Sequence, residues 1–372
     1  MSQFLQQPDA DSFLKRQERV RSCLTARKLT LLVVTEPANI FYLTGFRGSA
    51  GVAAFGASEA SLWVDPRYTL QAREQAQGVE VIEARKSLLV VAGAWIRKGK
   101  LRRVGYDEGT LTCAEFRRLR ERSEGKGARV AWEPAGGIVE DLRALKDENE
   151  IALIRRAAQL TAEVYEEVRP LVKPGVREAD LAAEIEYRAR REGAEGMAFE
   201  TIVASGPRGA LPHARASAKR LEAGELVIFD LGAILGGYAA DMTRTVYLGK
   251  PRRRVERLYG AVLEAEQAAV EAIRAGIRAG DVDAAARRAL ERRGLAPYFT
   301  HSTGHGVGIE VHERPRLGKR EKARLQAGSV VTTEPGIYLE GFGGIRIEDT
   351  VLVLREGAEV LTPASKHNWA AP

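Results

Sequence analysis

Apolar residues fall along this chain in two rhythms, and the balance between them changes near residue 135. In the first stretch, short apolar runs alternate with segments of helical spacing. Phe13, Leu14, Val20 and Leu24 recur at that spacing behind Ser12, which can cap, and predict a helix over 12–28. LTLLVV (29–34) reads as a buried strand. GVAAF (51–55) and ASLWV (60–64) read as two strands joined by a turn containing Gly56 and Ser58. Helices are predicted over 67–76, 87–99 and 112–123, with strands over 79–84, 102–107 and 128–134. That alternation predicts an α/β domain with a mixed sheet.

A charged join with a proline and two glycines (133–150) marks a boundary, so domains are expected over 1–138 and 139–372. Beyond it the pattern shifts to paired amphipathic helices, over 151–172 and 177–193 and then over 252–275 and 281–293. Short apolar strands separate and follow them at 200–205, 225–234, 241–248, 329–339 and 344–354. Paired helices interrupted by strands indicate an α+β fold, with helices packed on one face of a curved antiparallel sheet.

Composition narrows the class. A chain of 372 residues with 45% hydrophobic and 29% charged content fits a globular protein of two domains. No apolar run is long enough to span a bilayer, which predicts no membrane role. The N-terminal sequence lacks a basic start followed by an apolar core, and the two cysteines, Cys23 and Cys113, stand in unrelated contexts. Both features predict a cytoplasmic protein without disulfides or a cysteine-based zinc site. The net charge of +7 gathers in runs at 97–103, 250–254 and 314–324. Neither a zinc finger nor an RNA-recognition signature accompanies them, so they read as solvated faces and not as a nucleic-acid surface.

The chemistry lies in the C-terminal part. Asp230 ends the apolar run LVIF, and Asp241 follows eleven residues later, beyond the reversal at Gly236 and Gly237. A hairpin of that length brings both carboxylates to one side. Two like charges so close repel unless a cation lies between them. Three of the five histidines, His301, His305 and His312, crowd one short segment, and Gly304 and Gly306 flank His305. The spacing does not match H-E-x-x-H, which excludes a helical zincin. Glu334 and Glu348 occupy a second hairpin, whose GFGG stretch (341–344) reads as its turn, with Arg346 on the face of Glu348. One imidazole and four carboxylates suit Mn(II), Co(II) or Zn(II), with Mn(II) favoured by the oxygen-rich set. Carboxylates of this kind can bridge two divalent ions for hydrolysis.

The order of these residues resembles the pita-bread-fold metallopeptidases, which include Xaa-Pro aminopeptidases, Xaa-Pro dipeptidases (prolidases) and methionine aminopeptidases. ASGPRGALPHA (204–214), VHERP (311–315), EPGIY (334–338) and GIRIEDT (344–350) carry the likeness as a set. The N-terminal YLTGFRGSAG and LWVDPRYTLQA resemble the creatinase-like domain of the proline-specific branch. The resemblance implies two metal ions held by Asp230, Asp241, His305, Glu334 and Glu348, with Asp241 and Glu348 bridging. A hydroxide between the ions would attack the Xaa-Pro carbonyl of proline-containing peptides. Glu334 would accept the water's proton, while His213 and His312 would act on the substrate carbonyl or the proline nitrogen. His301, Arg346 and Tyr238 would shape the substrate pocket, Phe299 being a further candidate, and Thr243 would support Asp241. Arg316 stands where prolidases often carry a group for the proline carboxylate, yet the G-S-A-G and D-P-R-Y-T features lean towards an aminopeptidase. The expectation is therefore an Xaa-Pro aminopeptidase, with a prolidase as the alternative and a non-catalytic binding protein as a second. Methionine aminopeptidases fit less well because they lack the large N-terminal domain. A homodimer is expected from the resemblance.

Overall fold

The computed structural model describes residues 10–125 and 129–371. Residue 128, where the strand expected over 128–134 begins, lies outside them, as do the first nine residues of the stretch read for a signal sequence. The chain divides into two units, Met1–Arg143 and Ala144–Pro372. The first contains α1 (Ala10–Arg27), β1 (Leu31–Val34), α2 (Pro37–Thr44), β2 (Val52–Gly56), β3 (Ala60–Val64), α3 (Thr69–Gln75), β4 (Glu80–Glu83), α4 (Leu88–Lys98), β5 (Arg103–Tyr106), α5 (Cys113–Ser123), β6 (Ala131–Pro134) and α6 (Ile138–Arg143). The boundary expected after residue 138 falls inside α6, whereas the units divide at its end.

The six strands form one mixed sheet in the order β4-β3-β2-β1-β5-β6. Strands β1, β2 and β3 pair antiparallel as a meander, while β4, β5 and β6 join in parallel. Leu31, Val33, Val52, Trp63 and Val104 meet Leu89, Ile96 and Leu119 of α4 and α5 in one core. Thr112 caps α5 reciprocally with Glu115, which satisfies donors that the helix start leaves open. Helix α2 was not expected: PANIFYLT is short and nearly all apolar, so it shows no helical period, and Pro37 starts it while Gly45 stops it at φ 81°.

The second unit opens with α7 (Glu148–Val168) and α8 (Glu178–Arg191). Strands β7 (Gly196–Met197), β8 (Ile202–Ser205), β9 (Leu226–Leu231), β10 (Ala233–Leu235), β11 (Tyr238–Ala239) and β12 (Met242–Leu248) follow. Helices α9 (Arg253–Ala272) and α10 (Ala279–Glu291) precede β13 (Gly304–Gly306), β14 (Glu313–Leu317), β15 (Val330–Thr333), β16 (Gly336–Leu339), β17 (Gly343–Arg346), β18 (Asp349–Val353), β19 (Ala358–Val360) and β20 (Ala370–Ala371). The strands form a sheet β20-β12-β9-β8, a sheet β14-β13-β15-β18-β19, the hairpin β16-β17 and a small sheet β11-β10-β7. All these pairs are antiparallel except β12 with β20. Val255, Tyr259, Val262 and Ala265 of α9, with Val282, Ala286 and Leu290 of α10, bury against Val331, Ile337, Ile345 and Val351. This α+β unit is built of helices laid over antiparallel strands.

Candidate metal centre

Two hairpins bring the carboxylates together. Strands β9 and β12 pair with Asp230 opposite Thr243, and Asp241, two positions before Thr243, shares its face. The connection between them is itself a small hairpin, β10 to β11, turning through Gly236 (φ 60°) and Gly237 (φ 81°), the positive values a tight two-residue turn demands. In the second hairpin Thr333 of β15 faces Asp349 of β18, which places Glu334 and Glu348 one position beyond. Gly341 and Phe342 of the GFGG stretch lie in the turn between β16 and β17, while Gly343 and Gly344 begin β17, paired with Leu339 and Tyr338.

His305 enters from β13. A Cβ on Gly304 would lie 2.0 Å from the Thr332 carbonyl oxygen and one on Gly306 2.2 Å from that of Arg314, so only glycine on either side lets neighbouring backbone approach this closely. The imidazole Nδ1 sits 3.0 Å from the Gly306 carbonyl oxygen. A carbonyl only accepts, so Nδ1 carries the proton and Nε2 presents a lone pair. Nε2 lies 3.5 Å from both Asp241 Oδ2 and Glu334 Oε1. Burial lowers the His305 pKa to about 4, so the ring is neutral at physiological pH. A lone pair directed at two carboxylates is repelled unless a cation stands between them.

The carboxylates report the same deficit of positive charge. Burial, then the charges of Glu348, Asp230 and Glu334, holds the Asp241 carboxyl well above its usual range. Glu348 is raised by burial and by Glu334 and Asp230. Burial lifts Glu334 to about 7, although Arg346 pulls it down. Donor atoms of Asp241, His305 and Glu348 all lie within 4.8 Å of one another. Asp230 Oδ1 is buried without a hydrogen-bond partner among the described residues, as an oxygen kept for an ion is. Its other oxygen, Oδ2, accepts from Arg346 Nη2 at 2.5 Å. These residues fit divalent ions in donor type, protonation and orientation.

A cavity of 770 Å³ opens over this cluster. Asp230, Asp241, His305, Glu334 and Glu348 line it together with His213, His301, His312, Arg316 and Arg346. The His312 ring stands edge-on to that of His305, 4.4 Å between centroids. His301 Nε2 accepts from the Tyr338 hydroxyl at 2.8 Å, and its Nδ1 donates to the Ser302 carbonyl. Arg346 also donates to Tyr338, to Thr243 Oγ1 and to the Pro212 carbonyl oxygen. Arg316 is exposed and sits on β14, whose start is anchored by the buried ion pair of Glu313 with Lys146 at 3.0 Å.

Two expected placements need correction. Tyr238 does not line the cavity: it is fully buried on β11 and its hydroxyl donates to Glu150 Oε1 at 3.1 Å, because β10 and β11 carry it into a different sheet from Asp241. Thr243 supports Glu348 and not Asp241; its hydroxyl donates to Glu348 Oε2 at 2.7 Å. Phe299 is buried edge-on to His301. Sequence reasoning missed Tyr338, whose position within EPGIY carried no chemical signal of its own, and the wall formed by Phe199, Pro212 and Val311.

A carboxylate-walled cavity with a neutral imidazole among its lining residues, carried by the α+β unit, has the make-up of a metal-dependent hydrolase site. Residues 152–355 match the model of Metallopeptidase family M24, and residues 16–145 match the Creatinase/Prolidase N-terminal domain. The chain belongs to metallopeptidase family M24, with a creatinase-type N-terminal domain and a pita-bread catalytic domain. It is 35% identical to an Xaa-Pro dipeptidase of Pyrococcus furiosus, over 95% of this chain and 99% of the relative. An Xaa-Pro dipeptidase structure from Bacillus anthracis superposes with a TM-score of 0.92 at 35% identity, covering 96% and 99% of the two chains. An X-Pro aminopeptidase structure from Thermotoga maritima gives 0.87 at 34% identity, covering 96% and 100%.

Proposed function

We propose that the chain is an Xaa-Pro dipeptidase that uses two divalent ions, with Mn(II) the favoured ion. This reverses the expected order, in which the aminopeptidase came first. The observation that carries it is Arg316, an exposed guanidinium on the cavity that holds the carboxylate cluster. A dipeptide ends in a carboxylate next to its scissile bond, and a guanidinium binds that group through two parallel hydrogen bonds. The resemblance to dipeptidases from Pyrococcus furiosus and Bacillus anthracis supports the same choice.

Asp230, Asp241, His305, Glu334 and Glu348 would hold the ions, which when bound supply an activated water and polarise the scissile carbonyl. Glu334 takes the proton of the attacking water and passes it towards the proline nitrogen as the C–N bond breaks. His312 and His213, both on the cavity wall, stabilise the charge that grows on the carbonyl oxygen. Arg346 holds Asp230 in place and keeps Thr243 against Glu348. Proline favours such a site, since its imide offers no N–H to enzymes that bind substrate as a strand.

The aminopeptidase reading rests on the G-S-A-G and D-P-R-Y-T features and on the likeness to the Thermotoga maritima structure. Hydrolysis of Ala-Pro beside Ala-Pro-Ala, with Mn(II) and with chelator, separates the two. Chelator-sensitive cleavage of the dipeptide, with KM raised about tenfold or more in Arg316→Met, is the expected result. Preference for the tripeptide with Arg316→Met unaffected would reinstate the aminopeptidase. A homodimer is proposed from the resemblance alone, and sedimentation velocity checks it.

A further inference from the structure

One buried carboxylate outside the metal cluster has an arrangement that the proposed reaction does not explain. Glu178 begins α8 and is fully buried. Its Oε1 accepts from the backbone N–H of Ser205 at 2.7 Å and from the Ser205 hydroxyl at 2.8 Å. Its Oε2 accepts from the Ser217 N–H at 3.1 Å, the Ser217 hydroxyl at 2.7 Å and Arg208 Nε at 3.0 Å. A charge removed from water is very costly without such partners, and all five donors come from one stretch of chain. Ser205 and Ser217 are the two ends of a loop that leaves β8, makes a 3-10 turn over Gly206–Ala210 and returns. Glu178 therefore closes the loop at its base. Arg208 clips its middle by donating also to the Arg215 carbonyl. Its far side is tied to the metal cluster, where Arg346 Nη1 donates to the Pro212 carbonyl oxygen at 3.1 Å.

What the loop carries gives the closure a consequence. Pro212, His213, Ala214 and Arg215 all line the cavity, as does His301. No regular strand or helix holds His213; its place is set by the closure at Glu178 and by the Arg208 and Arg346 ties. We infer that Glu178 is a positioning residue for the peptidase reaction. It fixes the closed form of the 205–217 loop and through it holds His213 against the substrate. The inference deepens the dipeptidase reading and rests on it for His213's target.

The test compares Glu178→Gln, His213→Ala and their double variant as full-length, Mn-loaded proteins. In Glu178→Gln the new amide donates where a carboxylate accepted, which opens one end of the loop. The expected results are Mn(II) affinity and stoichiometry within about twofold of wild type, because Glu178 touches no ligand. Trypsin cleavage after Arg215 accelerates, and kcat/KM for Ala-Pro falls about tenfold or more. In the His213→Ala background the same substitution costs less than about twofold, since the residue it positions is already gone. An undiminished loss in that background, or a loss that follows the folded fraction with unchanged trypsin cleavage, would overturn the inference. Should Glu178→Gln not fold, Arg208→Met enters the same cycle, as it removes the clip and leaves four donors on Glu178. Absence of Ala-Pro cleavage by the wild-type protein would sink the dipeptidase reading, while the trypsin result would still decide whether Glu178 closes the loop.

Discussion

At the scale of single residues, the centre works by leaving negative charge unbalanced. His305, fixed by the Gly306 carbonyl, shows a lone pair to Asp241 and Glu334, and Asp230 keeps one buried oxygen without a partner among the described residues. Three of the proposed ligands are held by a neighbour: His305 by the Gly306 carbonyl, Asp230 by Arg346 and Glu348 by Thr243. Thr243 illustrates this, as its hydroxyl donates to Glu348 and accepts from Arg346. Thr243→Val keeps the shape and removes both bonds. It is expected to weaken Mn(II) binding about 10–100-fold, measured by calorimetric titration. Binding within twofold of wild type would show that Glu348 needs no such support. Glu348→Gln removes a proposed ligand outright, and its turnover should fall below about one-hundredth of wild type even with excess Mn(II).

At the scale of elements, the carboxylates that the structure gathers around one cavity were legible where one closes an apolar run, because an unpaired charge there has no cheap explanation. Asp230 after LVIF and Glu334 after SVVTT are of this kind. The hairpins were legible through Gly236, Gly237 and GFGG. Strands β13 and β14 were not: GHG and ERPRL are glycine-rich or charged, and only their neighbours in the sheet make them strands. The misplacement of Tyr238 has the same origin, because nothing in the sequence says that β11 leaves the sheet of β12. Partners distant in sequence were equally hidden, as with Glu178 and the 205–217 loop. Segment β14, which carries Arg316 and follows His312, depends on one such pair, since Lys146 and Glu313 are both almost fully buried at 3.0 Å. Lys146→Met leaves the Glu313 charge buried with its cation gone. Denaturant unfolding should show a loss of about 3 kcal/mol, and a loss under about 1 kcal/mol would mean that the backbone bonds to Glu313 suffice.

At the scale of the whole molecule, the unbalanced carboxylates link stability to pH and to metal. Without ions, the folded protein keeps Glu334 protonated up to about 7 against an ordinary 4.5, and Asp241 and Glu348 are raised as well. The folded state then holds protons that the unfolded chain releases. Stability from this source is complete below the ordinary carboxylate range and is lost as pH rises through about 7. Glu266, lifted to about 8 by burial and by Asp349, acts in the same direction in both forms. Neutral His301 and His305, lowered to about 4 by burial, oppose this up to the ordinary histidine value of 6.5. The melting temperature of chelator-treated protein should therefore drop as pH rises from about 6.5 to about 8, while the Mn-loaded form gains on it steadily, because ions displace those protons. Parallel melting curves with and without metal would contradict this linkage. Among the described residues no helix is long and apolar enough to cross a membrane.

In the proposed dipeptidase, five side chains, Asp230, Asp241, His305, Glu334 and Glu348, hold two divalent ions. Titrating metal-free protein with Mn(II) while following Ala-Pro hydrolysis tests it in one experiment. The expected result is two ions bound per chain, activity that appears with them and its abolition by chelator. Ala-Pro hydrolysis that survives chelation, or a protein that binds no ion at this centre, would contradict it.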